Sequence, residues 1–310
     1  MRQPSLTIEA LMNQVLIIDK AAGMTSHDVI NRVRRILGER SVGHLGTLDP
    51  AATGVLPLVI GNFTRLAQFY LGAEKSYEGV IRLGFATNTY DAEGEVVGNT
   101  TVNNASIDDA REAASRFQGK IEQMPPPFSA KKINGVPAYK LARKQEEVKL
   151  SPVAVEVFEF ELFAPEDDQI DSSRIAFRAR VSAGTYIRSM AHELGQALGC
   201  GGHLETLRRT VHGEFTLADA HTLDELAEAT PEAREEFFLL PRKLLPGIPA
   251  VTANDEQVAL IQCGRAVNLP EMSKSKYVKV FRGQREIIAI ASRVAGTLFH
   301  PKIVLMQGQP

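Results

Sequence analysis

The stretch GHLGTLDPAATGVLPL, residues 43–58, departs most clearly from ordinary core patterning: in its first half, Gly43, Gly46 and Pro50 surround one histidine and one carboxylate. Gly43 and Gly46 open backbone conformations that other residues avoid, and Pro50 pushes Asp49 toward an extended conformation. A tight loop able to present His44 and Asp49 follows from these constraints. A plain turn in which Asp49 caps its own backbone fits the same residues. Downstream, Gly54–Ile60 is apolar and short enough for a buried strand.

Before the loop, the run Val15–Asp19 predicts another buried strand that ends at Lys20 and Gly23. A helix follows, with Thr25 or Ser26 as its cap, Val29, Ile30, Val33, Ile36 and Leu37 at helical spacing, and Gly38 as its stop. After the loop the pattern predicts a helix over Phe63–Leu71, a strand over Tyr77–Phe85 leading into the polar stretch Ala86–Gly94, and a helix over Ile107–Phe117 capped by Ser106. Met124–Phe128 contains three consecutive prolines and must be extended. Val153–Phe163 and Arg174–Ser182 alternate as a long hairpin, Ile187–Leu198 reads as a helix closed by Gly199, and an acidic helical stretch covers Leu223–Leu240. Pro241, Pro246, Gly247 and Pro249 break the pattern. Beyond them lie a short helix near Glu256–Cys263 and strands near Tyr277–Phe281, Glu286–Ala291 and Ile303–Met306, a small β-rich module.

The whole chain has 310 residues, 44% of them hydrophobic and 23% charged, a composition that excludes fibrous and low-complexity classes. The uncharged run Ala51–Thr64 is too short, and too broken by Gly54, Pro57 and Gly61, to cross a bilayer. The N-terminal stretch lacks the pattern of a secretory signal, so the cytoplasm is the expected compartment. Cys200 and Cys263 form no metal-ligand spacing and are expected to be reduced. The formal charge of −2 hides a segregation: Glu156–Asp171 holds seven acidic residues and no basic one, and Asp219–Glu236 holds seven against one. The rest of the chain carries 34 basic against 23 acidic residues, enough to favour a nucleic-acid partner unless the runs are only solvated faces.

No phosphate loop, nucleophile elbow or dinucleotide fingerprint is present. His192-Glu193 starts like a zinc-protease helix, but position 196 is Gln where the second ligand would stand.

Residues 43–58 closely resemble the catalytic motif of the TruB family of tRNA pseudouridine synthases. The resemblance extends to Asp19-Lys20 with Gly23-Met24-Thr25-Ser26, Lys75-Ser76-Tyr77, Pro126-Pro127-Phe128-Ser129-Ala130-Lys131-Lys132, Gly184-Thr185-Tyr186-Ile187-Arg188, and His203-Leu204 with Leu207-Arg208-Arg209-Thr210. These run in family order from about residue 15 to 216. Three positions depart from the family pattern: Ala21 replaces a usual proline, Arg65 a common lysine, and Asn88 the first aspartate of a Thr-Asp-Thr pattern whose later Asp91 remains.

The resemblance implies an α+β fold with a mixed, mainly antiparallel sheet as the catalytic domain over 1–246, a thumb inserted at about 124–150, and a C-terminal PUA-like RNA-binding module over 247–310. It implies isomerisation of uridine 55 in the T loop of tRNA, with no cofactor or metal, by a monomer that needs no protein partner and no membrane. Asp49 is implied as the catalytic aspartate, Arg188 as its partner, and Tyr77 as the residue that stacks on the target base and assists loss of the C5 proton. His44, Tyr186 and Leu207 join Tyr77 in binding the substrate. Lys20, Lys131, Lys132, Arg143, Arg208 and Arg209 are implied to contact RNA, with Lys140, Lys144 and Lys149 adding to the basic thumb. The alternatives are the catalytic subunit of a guide-RNA pseudouridylation complex and a tRNA-folding RNA-binding module.

Overall fold

A computed structural model describes residues 13–100, 105–128, 150–164 and 173–306, and the backbone alone at 132–133 and 136–137. The first elements are β1 (Gln14–Lys20), α1 (Ser26–Leu37), β2 (Val42–His44) and β3 (Thr53–Ile60), followed by β4 (Lys75–Leu83), β5 (Ala86–Thr87), β6 (Val96–Val97), α2 (Ile107–Ser115) and β7 (Gly119–Gln123). Two short strands, β8 (Lys132–Ile133) and β9 (Val136–Pro137), precede the hairpin β10 (Val153–Phe163) and β11 (Arg174–Val181). Then come α3 (Ile187–Ala197), β12 (Gly202–His212), β13 (Phe215–Thr216), β14 (Ala220–His221), α4 (Leu223–Glu228) and α5 (Pro231–Arg234).

Among the described residues, one sheet runs β14-β1-β3-β12-β4-β11-β10-β7, with β13 beside β12 and β2 beside β3. Within this sheet, as described, only β1/β14 and β12/β3 pair in parallel, so the fold is mixed α+β with a mainly antiparallel sheet, as expected. The central strands are apolar on both faces because both are covered. Along β1, Leu16 and Ile18 join the core under α1, α2 and α3, while Val15 and Ile17 face a second core on the other side. That second core includes Phe281, Ile287, Ile290 and Ile303 of the C-terminal module. The module is a separate five-stranded sheet of β15 (Ala250–Ala253), β16 (Val267–Asn268), β17 (Tyr277–Arg282), β18 (Glu286–Ala295) and β19 (Leu298–Val304), with α6 (Asp255–Gln262) beside it. Asn13, Asn62 and Arg65 also donate to the Leu305 or Val304 carbonyls and tie the two sheets together.

Local chemistry explains most boundaries. In α1, Thr25 and Asp28 cap each other's backbone amides and Gly38 closes the helix at φ 69°. Two expectations need correction. The helix over Phe63–Leu71 is a 3-10 helix, Gly61–Phe69, with no side-chain cap and with the Thr64 hydroxyl donating back to the Gly61 carbonyl three residues earlier. The acidic stretch is two short helices, because Thr230 caps a new start whose first turn holds Pro231. The long central strand β12 was not anticipated. Bulges between Leu204 and Thr206 and between Arg209 and Val211 break its period of two, and His203, Arg209 and His212 occupy buried positions. The two cysteines form no disulfide with each other, Cys200 being buried and Cys263 exposed. The expected thumb falls mostly outside the described residues.

Candidate active site

The loop between β2 and β3 is held at nearly every peptide. The buried Ser26 hydroxyl donates to the Leu48 carbonyl (3.0 Å) and accepts from the Leu48 amide (2.9 Å). Lys20 Nζ donates to the carbonyls of Pro50 (3.0 Å) and Ala21 (2.9 Å), and the Gly23 amide also donates to Pro50. Arg209 donates from Nη2 to Gly46 O (2.9 Å), from Nη1 to Thr47 O (3.3 Å) and from Nε to Val55 O (2.8 Å). Gly46 must be glycine, since a Cβ there would lie 2.8 Å from the His212 ring. Asp49 is thereby carried on a rigid loop while its side chain stays 45% exposed.

Arg188, in the first turn of α3 and only 11% exposed, joins two carboxylates: its Nε lies 3.1 Å from Asp49 Oδ2, and its Nη1 3.0 Å from Asp91 Oδ2. Nη1 also donates to Thr89 O and Nη2 to Phe128 O. The polar loop after β4 exists to present Asp91. Thr89 Oγ1 and the Glu93 amide donate to Asp91 Oδ1, and Asn88 Oδ1 accepts the Glu95 amide. Tyr90 adopts φ 66° and stacks on His192, ring centroids 3.8 Å apart. A left-handed tyrosine is a strained conformation of the kind retained where geometry matters. The start of α3 is set by Gln123 of β7, fully buried, whose amide group accepts from the Tyr186 amide and donates to the Tyr186 carbonyl.

Asp49, Arg188 and Leu207 line one cleft with Asp91, Ala51 and Thr206. Its free space is about 20 Å³, room for a single water, and it adjoins a groove of about 890 Å³ that shares Ala51, Glu205, Thr206 and Leu207. Tyr77 is 8% exposed and sits opposite Arg209 in the β4/β12 register. Tyr186 and His44 are half-buried and are not part of the cleft wall. The His44 Nδ1 is buried without a partner, and burial lowers its proton affinity.

The basic residues divide. Arg208 makes a two-point ion pair with Asp19, at 2.7 and 3.0 Å, and remains partly exposed. Lys20 and Arg209 are 0% exposed, which corrects their expected place on the RNA surface: their donors are spent on carbonyls of the Asp49 loop and its flanks. Burial pushes Lys20 down to about 8, opposed chiefly by the Asp49 charge. Lys131 and Arg143 lie outside the described residues, as does the side chain of Lys132. Among the described residues, no group of three or more His, Cys, Asp or Glu side chains could hold a metal. His192 is engaged with Tyr90 instead.

Sequence reasoning missed the supporting residues Asp91, Ser26 and Gln123 as parts of the site. Only Asp91 carried a signal, a Thr/Asn/Asp run closed by Gly94, where a Cβ would meet Thr89 Oγ1 at 2.3 Å.

Comparison with known proteins fits this geometry. Residues 34–187 match the family model for the N-terminal domain of TruB family pseudouridylate synthases, and residues 188–248 that for the C-terminal domain of tRNA pseudouridylate synthase B. The tRNA pseudouridine synthase B of Solibacter usitatus is 45% identical over 298 residues, covering 95% of this chain and 100% of that protein. The Aquifex aeolicus protein of the same name is 38% identical over 295 residues, covering 95% and 100%. Among solved structures, a Cbf5-Nop10-Gar1 complex contains a chain that superimposes with TM-score 0.69 at 26% identity, covering 94% of this chain and 85% of that one. A chain of an H/ACA RNP bound to a substrate RNA gives TM-score 0.69 at 24% identity, covering 95% and 85%.

Proposed function

The chain belongs to the TruB family of pseudouridylate synthases, and on that premise we propose that it converts uridine 55 in the T loop of tRNA to pseudouridine, with Asp49 as the catalytic carboxylate. The observation that carries the proposal is the pairing of Asp49 with Arg188 at the mouth of a cleft. The carboxylate faces solvent on one side and a largely buried guanidinium on the other, so it is held in place while remaining open to substrate.

The isomerisation breaks the bond from N1 to C1′, turns the uracil, and joins C5 to C1′. The C5 proton leaves and N1 gains one, so no redox partner is needed. Asp49 supplies the negative charge as nucleophile at C1′ or C6, or as base toward the ribose. Arg188 fixes the carboxylate, Tyr77 stacks on the base and assists loss of the C5 proton, and Leu207, Tyr186 and His44 hold the flipped nucleotide. Room for one water beside Asp49 means that the nucleotide must part the cleft walls as it enters. Arg208 and the basic thumb, including Lys131, Lys132 and Arg143, supply phosphate contacts, and the C-terminal module adds tRNA surface.

The full-length likeness to proteins named tRNA pseudouridine synthase B supports a stand-alone monomeric tRNA enzyme in the cytoplasm over a guide-dependent subunit. Incubating the purified chain with a T-arm hairpin and no other RNA or protein tests this: pseudouridine forms if the enzyme stands alone, whereas product that requires an added guide RNA contradicts the reading.

A further inference from the structure

We propose that Arg209 is a positioning residue for the isomerisation, locking the loop that carries Asp49 against the strand that carries Tyr77. The proposal rests on the roles given above to Asp49 and Tyr77.

Arg209 occupies the crossing point of the site. It lies on β12, opposite Gly54 of β3 on one side and Tyr77 of β4 on the other. The approach to β3 is so close that a Cβ on Gly54 would stand 2.2 Å from the Arg209 carbonyl oxygen, and Gly54 takes φ +97°. From this point the side chain runs beneath the loop and spends three donors on the carbonyls of Gly46, Thr47 and Val55. Tyr77 is the direct partner of Arg209 across the β12/β4 ladder, so the two side chains lie on one face of the sheet. One rigid fork therefore sets the distance between the two side chains that meet the nucleotide.

The charge itself argues for function. Arg209 is fully buried and, among the described residues, forms no ion pair with a carboxylate. Burying an unpaired guanidinium is expensive, and a well-packed apolar side chain would stabilise the strand better. The groups that feel its charge add no compensating anion: Lys20, Lys75, His44 and His212. A planar fork with fixed donor directions is what three carbonyls of a tight loop require, and lysine offers only a point charge there.

The test uses the full chain and an unmodified tRNA transcript, with Arg209→Met, Arg209→Lys, Tyr77→Phe, Asp49→Asn and the Arg209→Met/Tyr77→Phe double variant. Single-turnover rate at saturating enzyme, tRNA affinity and thermal melting are measured for each. Arg209→Met is expected to lower the rate by about 100-fold, the scale of a small misplacement of reacting groups, with tRNA affinity unchanged. Arg209→Lys should recover part of that loss, and the double variant should lose less than the product of the two single losses. A wild-type rate in either Arg209 variant, a loss seen in affinity alone, or fully multiplicative losses with Tyr77→Phe would overturn the proposal. If Arg209→Met does not fold, the rate and affinity of Arg209→Lys decide. Activity surviving in Asp49→Asn would instead overturn the assignment of Asp49, whereas an inactive Asp49→Asn beside a fully active Arg209→Lys would overturn the role of Arg209 alone.

Discussion

The Asp49 carboxylate is positioned through a chain of contacts that begins at Arg188. Arg188, which pairs with Asp49, is also held by Asp91, Thr89 and Phe128. Asp91→Asn keeps the shape and removes the charge, so Arg188 loses one charge-assisted bond. The expected result is a fall of about 10- to 100-fold in single-turnover rate with tRNA affinity preserved, measured on an unmodified transcript. A second consequence concerns acid. Burial lowers the proton affinity of His44, His192, His203 and His212, the last from 6.5 down to about 2 with the Arg209 charge contributing. The unfolded chain therefore binds more protons below about 6.5, and stability falls as pH drops through that value. Both ring nitrogens of His212 lack partners. His212→Leu should accordingly leave stability near neutrality little changed and flatten its decline between about pH 7.5 and about pH 5, read from urea midpoints.

Strands and caps fail in different ways. Gly54→Ala places a methyl group into the Arg209 backbone at a left-handed position and should prevent β3 and β12 from pairing, giving insoluble or unfolded protein on expression. Thr25→Ala removes one side of the α1 cap and should cost about 1 kcal/mol in urea unfolding while the sheet persists. The contrast matches what could be read beforehand. The strands β1, β3, β4, β10 and β11 and the helices α1, α2 and α3 were legible because apolar spacing and cap residues act locally. The strand β12 was not: two bulges shift its period, and its buried positions hold Arg209, His203 and His212, the first two bonded to residues more than a hundred positions away. Ser26 and Gln123 were hidden for a related reason: their bonds to Leu48 and Tyr186 span 22 and 63 residues and join separate elements. Lys20 and Arg209 read as RNA contacts because charge in a sequence says nothing of depth.

At the scale of the molecule, two sheets share a core, and the larger one carries the cleft, with Asp49 at the narrow end of a broad groove. Nearly all of the candidate site's reacting residues were named from the resemblance, and the structure adds the frame that holds Asp49 and Arg188. The central claim is that this frame serves one carboxylate acting on one uridine. Pseudouridine should therefore be mapped at every uridine of an unmodified tRNA transcript after treatment with the wild-type chain and with Asp49→Asn, alongside a transcript carrying cytidine at position 55. Conversion confined to position 55, absent from the cytidine transcript and lost in Asp49→Asn while tRNA still binds, is the predicted result. Product at another position, or undiminished product from Asp49→Asn, would contradict it.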